Sequence, residues 1–318
     1  MPRPRPGRSC CSAEGKPLSL IQKIRRHRLA YLLILPTVAV MAAIVFYPLI
    51  RGVLISFTNM NQYNMGSKFI PSSYRFVGLL NYIRVLTGGQ FWDILWQTVI
   101  WTVSNVIFHF TIGLALALML NGKFRGRAIY RTLLLIPWAV PTYISAFSWR
   151  WLFNSKYGFF NLALKGLGLS PIPWLSHEIW AMVAVIATNV WLGFPFMMVV
   201  LLGGLQSIPQ EFYEASQVDG CGRLRQFWSI TLPLLKPVAL TATLLGIIWT
   251  FNMFNVIYLV TEGGPHHQTD ILATFAFIEA FHQWRFGMAT TYAVIILSIL
   301  LTFSFFYIRA LRGSEEVY

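Results

Sequence analysis

Charged residues are scarce in this sequence. Only 11% of its 318 residues are Asp, Glu, Lys or Arg, whereas 56% are hydrophobic. A soluble domain usually carries about 25% charged residues. The apolar residues also form runs close to the roughly 20 residues that cross a bilayer as a helix. This composition argues against an ordinary soluble domain and predicts an all-α membrane protein with several spans.

Cysteine is also rare, and its positions suggest no covalent framework. Cys10 and Cys11 are adjacent in a polar tail, and Cys221 is the third. We expect all three to be reduced cytoplasmic thiols. The first apolar run is too long for a signal peptide that is removed, and it lacks a small-residue cleavage site.

Sequence motifs for enzymatic chemistry are missing. The phosphate-binding pattern G-x-x-x-x-G-K-[ST] does not occur, because Lys123 follows Gly122 without the earlier glycine or a following Ser or Thr. No Cys/His set has the spacing of a metal site, and the adjacent pair His266-His267 is typical of a solvated turn. We therefore expect a chain that is not an enzyme and that binds no cofactor, metal or ATP of its own.

Ionisable side chains are nearly absent from the apolar runs. A proton-coupled secondary transporter usually places Asp, Glu, Lys or Arg there as a proton relay. His109 is the main exception. The scarcity favours a transporter whose driving force comes from another subunit.

The apolar runs predict six transmembrane helices. Their predicted ranges are 30–50, 94–120, 129–153, 179–205, 238–260 and 288–308. Pro137 and Pro141 should kink the third. Residues 1–29 form a basic polar tail, which leaves residues 30–318 as one transmembrane domain.

The distribution of Lys and Arg orients these spans. With six spans both termini lie on one side, and 17 of the 25 Lys and Arg residues fall on that side. Cytoplasmic loops are enriched in these residues, so both termini and the segment between spans four and five should be cytoplasmic. The same rule explains the net charge of +14 without a nucleic-acid partner.

Residues 207–237, between spans four and five, predict a helix, a bend and a second helix. Ser207 and Gln210 have the spacing of a capping box at the first helix. Asp219-Gly220 should end that helix, because glycine tolerates the required backbone turn. The second helix should end at Leu232-Pro233, since proline loses a helical hydrogen bond.

Residue spacing in this segment resembles the EAA signature of ABC importer permease subunits. Glu214-Ala215-Ser216 is followed after three residues by Gly220, and nine residues later by Ile230-x-Leu232-Pro233. Ser216 departs from the family's second alanine. The resemblance implies that residues 207–237, here called the coupling segment, dock into a groove of a cytoplasmic ATPase. The alternative is an ordinary pair of amphipathic interfacial helices.

Several residues carry this implied coupling role. Glu214 would form a salt bridge to a basic residue of the ATPase, and Gly220 would supply the bend. The candidate coupling residues are Glu214, Ala215, Ser216, Asp219, Gly220, Phe227, Ile230, Leu232 and Pro233.

Neutral amides and aromatic rings lie together in spans four and five. Sugars present hydroxyl groups at their rims and C–H faces above and below, so amides and flat rings suit them. Gly193 and Pro195 should interrupt span four and free backbone groups toward a cavity. The alternative is that the asparagines join helices and that Gly193 is a packing contact. The candidate substrate-binding residues are Asn189, Trp191, Leu192, Gly193, Phe196, Trp249, Asn252 and Asn255.

A second resemblance narrows the family. The stretches at 189–196, 205–209 and 260–265, with Thr269, are similar to those of the sugar-uptake branch, and most of all to maltose- and trehalose-type permeases. This resemblance implies a small sugar site near mid-membrane, enclosed by two homologous permeases. It points to Asn189, Leu192, Gly193, Phe196 and the stretch from Trp249 to Asn252.

The resemblance also implies partners. They are a second, homologous permease in a heterodimer, two copies of a P-loop ATPase that hold ATP and Mg²⁺, and an extracytoplasmic sugar-binding protein. A di- or oligosaccharide would be the cargo, and Thr261 to Pro265 is a candidate contact for the binding protein. The expected location is a bacterial or archaeal cytoplasmic membrane. Permeases for glycerol phosphate, amino acids or monosaccharides, a stand-alone secondary transporter and a membrane scaffold remain alternatives.

Overall fold

A computed structural model describes residues 28–122 and 124–315 of the chain. Within these residues the secondary structure is helical, with no strand and one isolated β-bridge between Thr58 and Phe76. The predicted polar tail, residues 1–29, lies almost wholly outside the described residues. The helices are α1 Arg28–Met41, α2 Tyr47–Ser56, α3 Leu80–Thr87, α4 Gly89–Asn121, α5 Arg127–Leu134, α6 Ile136–Ala139, α7 Thr142–Leu152, α8 Phe159–Gly166, α9 Glu178–Ser207, α10 Gln210–Val218, α11 Arg223–Gln226, α12 Leu232–Phe251, α13 Phe254–Val260, α14 Leu272–Phe277 and α15 Phe286–Glu315.

Three π-helical turns connect some of these helices. They span Ala42–Phe46, Phe227–Thr231 and Ile278–His282. The chain divides after Gly52 into two compact units. The described part of the first unit is apolar helix with a π turn, and all the packing discussed below lies in the second.

Five helices among the described residues are long and apolar enough to cross a membrane. They are Tyr31–Ser56, Gly89–Asn121, Glu178–Ser207, Arg223–Phe251 and Phe286–Ala310. Four of them correspond to the predicted spans one, two, four and six. The chain is therefore a multi-pass membrane protein of the predicted all-α class.

The third predicted span is divided into α5, α6 and α7. Pro137 lies in the first turn of α6, and Pro141 precedes α7. The predicted kinks are thus confirmed, and they are strong enough to break the helix. None of the three pieces crosses a membrane alone, so the count of six spans stays a prediction.

The fifth span differs from the prediction at both ends. Pro233 does not end a helix, because α11, the π turn and α12 run on as one helix over Arg223–Phe251. The π turn shifts the hydrogen-bond pattern just before Pro233, where a proline is tolerated at the start of α12. At the other end α12 stops at Phe251, and α13 follows after Asn252 and Met253.

Two further local predictions are wrong. Ser207 is the last residue of α9, and its hydroxyl donates to the Gly204 carbonyl (2.8 Å), so no capping box forms with Gln210. Gly193 and Pro195 do not interrupt α9, which is continuous over Glu178–Ser207. In a buried helix the missing proline N–H is tolerated because packing against neighbouring helices holds the backbone.

Helices α4, α9 and α12 form the frame of the second unit. A constant offset of 84 residues relates α4 to α9: Asn105 bonds to Asn189, and Gly113 lies against Met197. The two helices therefore run parallel. Helix α12 runs antiparallel to α9, because Leu235 near the start of α12 contacts Gly204 near the end of α9, and Gly246 later in α12 contacts Met197 earlier in α9. Their shared apolar cluster comprises Ala117, Leu120, Met197, Met198, Leu201, Leu202, Leu205, Leu235, Ala239 and Ala242.

Candidate functional site

A cavity of about 140 Å³ lies beside this three-helix frame, where the broken segment α6–α7 meets it. Five of the eight predicted substrate residues line it: Asn189, Leu192, Gly193, Phe196 and Trp249. The other lining residues are His109, Pro137, Trp138, Val140, Thr142, Met197, Gly246, Thr250 and Met253. No Lys, Arg, Asp or Glu belongs to this lining among the described residues.

Aromatic rings form one wall of the cavity. The ring centres of Phe196 and Trp249 are 4.8 Å apart and those of Trp138 and Phe196 are 6.3 Å apart, with tilted planes. Trp138 and Trp249 are 57% and 51% exposed. Flat rings that remain half uncovered are suited to contact with the C–H face of a ligand.

His109 packs into the space that Gly193 leaves. A Cβ at Gly193 would collide with the imidazole ring. The Nε2 atom of His109 lies 3.0 Å from the Asn189 carbonyl oxygen. A carbonyl can only accept a hydrogen bond, so Nε2 carries the proton. Gly193 thus acts as a packing contact, one of the two alternatives that the sequence left open.

The side chain of Asn189 joins two helices. Its Nδ2 donates to Oδ1 of Asn105 (2.9 Å), and Asn105 donates in turn to the Trp101 carbonyl (2.8 Å). Both amides are buried. The alternative in which asparagines connect helices describes this pair, and a substrate contact by the Asn189 amide stays a prediction.

Three predicted substrate residues lie outside the cavity lining. Trp191 packs against Trp149, with ring centres 5.9 Å apart. Asn252 follows the end of α12, where its Nδ2 donates to the Ile248 carbonyl (3.1 Å), and Asn255 is exposed on α13. The structure does not bring these three together with the other five.

Sequence reasoning missed part of the lining. Gly246, Thr250 and Met253 follow one another at steps of four and three residues, which is the spacing of one helical face, and Thr250 is next to Trp249. That spacing was the available signal. Trp138 comes next to Pro137, where the break in the predicted third span brings it toward the cavity.

The coupling segment has the predicted bend. Helix α10 ends at Val218, and Gly220 follows with φ +75° in the left-handed region. The Cys221 N–H donates to the Ser216 carbonyl (2.9 Å) and the Gly220 N–H to the Gln217 carbonyl (3.0 Å). These two bonds are those of a Schellman helix end, which explains why glycine is at this position.

Side-chain hydrogen bonds fix the two arms of the coupling segment to each other. Gln226 Nε2 donates to the Ser216 hydroxyl (2.8 Å), and the Tyr213 and Thr231 hydroxyls are 3.0 Å apart. Ser216 is buried. Ser216, which replaces the alanine usual in the family, thus accepts a hydrogen bond that joins the two arms.

The remaining candidate coupling residues are mostly uncovered. Glu214, Ala215 and Asp219 are exposed on or beside α10, and Glu214 has no ion pair among the described residues. Phe227 contacts Trp228 edge to face. The large apolar side chains that are exposed in this segment are Phe212 (51% exposed), Val218 (89%), Leu224 (75%), Trp228 (61%) and Leu234 (43%).

The half-buried candidates lie at the start of the long helix. Ile230 belongs to the π turn, and Leu232 and Pro233 begin α12. They connect the exposed helices α10 and α11 to the transmembrane part of the chain. The arrangement joins an exposed apolar surface to the helix that carries Trp249.

The sequence is similar to known transport proteins. It is 39% identical, over 92% of this chain and 97% of the relative, to the trehalose/maltose transport system permease protein MalF of Thermococcus litoralis. It is 33% identical, over 90% of this chain and 87% of the relative, to the diacetylchitobiose uptake system permease protein DasB of Streptomyces coelicolor.

The fold is similar to that of a solved transporter. A crystal structure of a bacterial ABC transporter involved in import of the acidic polysaccharide alginate matches with a TM-score of 0.80, at 22% identity, over 92% of this chain and 98% of that chain. The family model described as "binding-protein-dependent transport system inner membrane component" matches residues 109–312, which include every residue that lines the cavity and the whole coupling segment. Together with the 39% identical relative, this match shows that the chain belongs to that family of ABC transporter permease subunits.

Proposed function

We propose that this permease subunit moves a di- or oligosaccharide of the maltose or trehalose type across the membrane. The observation that carries the proposal is the uncharged cavity walled by Trp138, Phe196 and Trp249. A charged cargo such as glycerol phosphate would favour a Lys or Arg in the lining. The two relatives named above are permeases of sugar systems, which supports the same class of cargo.

A second, homologous permease would complete the site. Ligand pockets usually have volumes of about 300–1,000 Å³, whereas this cavity has about 140 Å³. Trp138 and Trp249 are half exposed in this one chain. A partner facing them would enlarge the enclosed volume and cover both rings, so we infer a heterodimer.

Two copies of a P-loop ATPase would drive transport and would hold the ATP and Mg²⁺. This chain would bind neither and would have no catalytic activity of its own. Phe212, Leu224 and Trp228 would fill a groove of the ATPase, and the exposed Glu214 would pair with a basic residue there. Closure of the ATPase pair would then pull on the coupling segment and switch the permeases from inward- to outward-facing.

An extracytoplasmic binding protein would deliver the sugar to the external loops. The candidate contact at 261–265 has a defined shape: the Thr261 and Thr269 hydroxyls are 2.8 Å apart, and the Thr269 N–H donates to the Gly263 carbonyl (3.1 Å). A solved alginate transporter of similar fold was crystallised with its periplasmic protein bound to an alginate pentasaccharide. The membrane would be the cytoplasmic membrane of a bacterium or archaeon.

Sugar-stimulated ATP hydrolysis by a transporter with the Trp249→Ala variant tests the cargo assignment. Removing an aromatic platform should weaken sugar-stimulated ATP hydrolysis, because stacking on the ring holds the sugar. The matched control is Trp151→Ala, since Trp151 is 67% exposed and lies outside the cavity lining. The measurement is the dependence of ATP hydrolysis on sugar-loaded binding protein in the assembled transporter.

Two outcomes would count against this proposal. If Trp249→Ala abolished assembly with the ATPase, the residue would be structural and not a sugar platform. If Trp249→Ala and Trp151→Ala had the same sugar dependence as the unmodified chain, the cavity would not be the sugar site.

A further inference from the structure

Helix α5 exposes its apolar residues and turns its cations inward. Ile129, Tyr130 and Leu133 are 65%, 56% and 53% exposed, whereas Arg127 and Arg131, one turn apart, are half-buried. This is the reverse of a helix that lies on the surface of a soluble protein. An outward apolar face with a tyrosine is suited to the membrane interface.

Both arginines converge on one neutral side chain. With the amide of Gln206 oriented so that Oε1 faces them, this oxygen accepts hydrogen bonds from the guanidinium groups of Arg127 and Arg131. The Nε atoms of both arginines are shielded from solvent and have no hydrogen-bond partner. One amide oxygen therefore accepts hydrogen bonds from both arginines, and each guanidinium group still has an N–H donor without a hydrogen-bond partner.

The charge of this pair is uncompensated among the described residues. The ion pairs found there join Arg150 to Glu262, His267 to Asp270 and Arg285 to Glu279. None involves α5. Two like charges held on a single oxygen repel each other, and a neutral acceptor offsets that repulsion only in part. The arrangement favours an anion as an additional ligand.

With the orientation that the Lys and Arg count predicts, the pair lies at the level of the cytoplasmic headgroups. Gln206 is the penultimate residue of α9, four residues before the cytoplasmic coupling helix α10 begins at Gln210. Helix α5 follows closely after the cytoplasmic end of α4 at Asn121. The cytoplasmic leaflet of a bacterial or plasma membrane carries anionic lipids at this depth.

We infer that Arg127 and Arg131 together bind the phosphate of an anionic phospholipid from the cytoplasmic leaflet. Planar guanidinium groups bind phosphate oxygens in a bidentate manner, and the two arginines together have more N–H donors than the single Gln206 oxygen can accept. The lipid would neutralise the pair and would hold α5 against the end of α9, next to the coupling segment. This inference uses the orientation of the chain and is independent of the sugar assignment.

Native mass spectrometry of the whole transporter, purified through this chain, tests the site. The complex is titrated with phosphatidylglycerol and, in parallel, with phosphatidylcholine of the same acyl chains. We expect phosphatidylglycerol to bind more tightly. A hydrogen bond to a charged group contributes about 1.5 kcal/mol or more, so each Arg→Gln change should weaken phosphatidylglycerol binding about tenfold or more and the double change about a hundredfold or more.

Matched variants distinguish lipid binding at Arg127 and Arg131 from the general electrostatic attraction between surface cations and anionic lipids. Arg125→Gln removes an exposed cation of the same loop and should weaken binding less than Arg127→Gln or Arg131→Gln. The pair Arg127→Lys with Arg131→Lys keeps the charge and loses the bidentate geometry, so its affinity should be intermediate. Thermal unfolding in phosphatidylcholine alone checks that each variant folds.

Several results would overturn the inference. One is equal affinity for the two lipids, and another is an Arg125→Gln loss as large as that of the inner arginines. Displacement of the lipid by equimolar inorganic phosphate would assign the site to a free anion. Loss of the ATPase subunits from the double Arg→Gln variant, with lipid affinity unchanged, would assign the arginines to the ATPase contact.

Discussion

Replacing Gly220 by valine tests the bend of the coupling segment. Gly220 has φ +75°, and no atom lies within 4 Å of the position that a Cβ would take. A substitution there meets no steric collision and costs only conformational energy. That energy is about 1–2 kcal/mol for an ordinary residue in the left-handed region, and it is larger for a β-branched one. Asparagine tolerates this conformation better.

We therefore expect a graded series in which the bend weakens from Gly to Asn, Ala and Val at position 220. A cost of 1–2 kcal/mol lowers the population of the bent state relative to alternatives by about 5- to 30-fold. The arms of the segment then dock less often, and sugar uptake per ATP hydrolysed falls while the protein still inserts. The assay measures uptake and ATP hydrolysis of the assembled transporter in proteoliposomes.

A neighbouring glycine provides the control. Gly222 has φ −70°, and it too has no atom within 4 Å of a Cβ position. Gly222 is the N-cap of α11, where serine is also favoured, so Gly222→Ser should behave as the unmodified chain. Normal coupled uptake by Gly220→Val would refute the reasoning, as would an equal loss in Gly222→Ser.

Three further changes probe other contacts. Ser216→Ala removes the acceptor of the Gln226 amide and should destabilise the complex by about 1 kcal/mol in thermal unfolding. The loss should be smaller in a chain that already carries Gln226→Leu, where only the bond from Ser216 to the Tyr213 carbonyl remains to be removed, and an unchanged loss there would contradict the Gln226 bond. Gly193→Ala collides with His109 and should cost about 1–3 kcal/mol, whereas His109→Ala in the same chain should restore stability, and no rescue would exclude the collision. Burial raises the pKa of the Asp270 carboxyl above its ordinary value, against the opposing hydrogen bonds of His267 and Thr274. The contribution of Asp270 to stability is therefore fully present below the unfolded pKa and is lost as pH rises through the folded pKa. Asp270→Asn should flatten that dependence in melting curves recorded across the acidic range, and an unchanged slope would contradict it.

Local chemistry made part of the fold predictable from sequence. The apolar runs predicted α4, α9 and α15 because a bilayer requires helices of that length. The bend at Gly220 was predictable because its backbone conformation depends on its own lack of a side chain. Pro137 in α6 and Pro141 before α7 predicted a kinked third span because proline has no backbone N–H to donate within a helix.

Other features depend on contacts that sequence patterns do not encode. Helix α12 ends at Phe251, so the spacing of Gly246, Thr250 and Met253 marks a shared face but does not show that Met253, beyond the end of the helix, still lines the cavity. The partner of Asn189 is Asn105, 84 residues earlier, and only the packing of α4 on α9 brings them together. The π turn before Pro233 has no sequence signal, so the sequence predicts a helix end at Pro233 where the structure has a continuous helix.

The coupling segment has some features that the sequence predicts and others that depend on contacts in the folded chain. The resemblance of the residue spacing to the EAA signature points to Glu214, Gly220 and the Ile230-x-Leu232-Pro233 stretch. The hydrogen bond from Gln226 to Ser216 joins two short helices across the bend, and its existence depends on how they fold back on each other. Family membership supports the coupling role, and the individual residue roles stay predictions.

Transport by the reconstituted complex tests the central claim most directly. The complex, purified through this chain from its native membrane in mild detergent, is placed in proteoliposomes with ATP inside and the binding protein outside. The proposal predicts accumulation of labelled maltose or trehalose that requires both, and that is lost when Glu214→Lys removes the ATPase. Sugar accumulation by this chain alone or as a homodimer, without ATP, would contradict it.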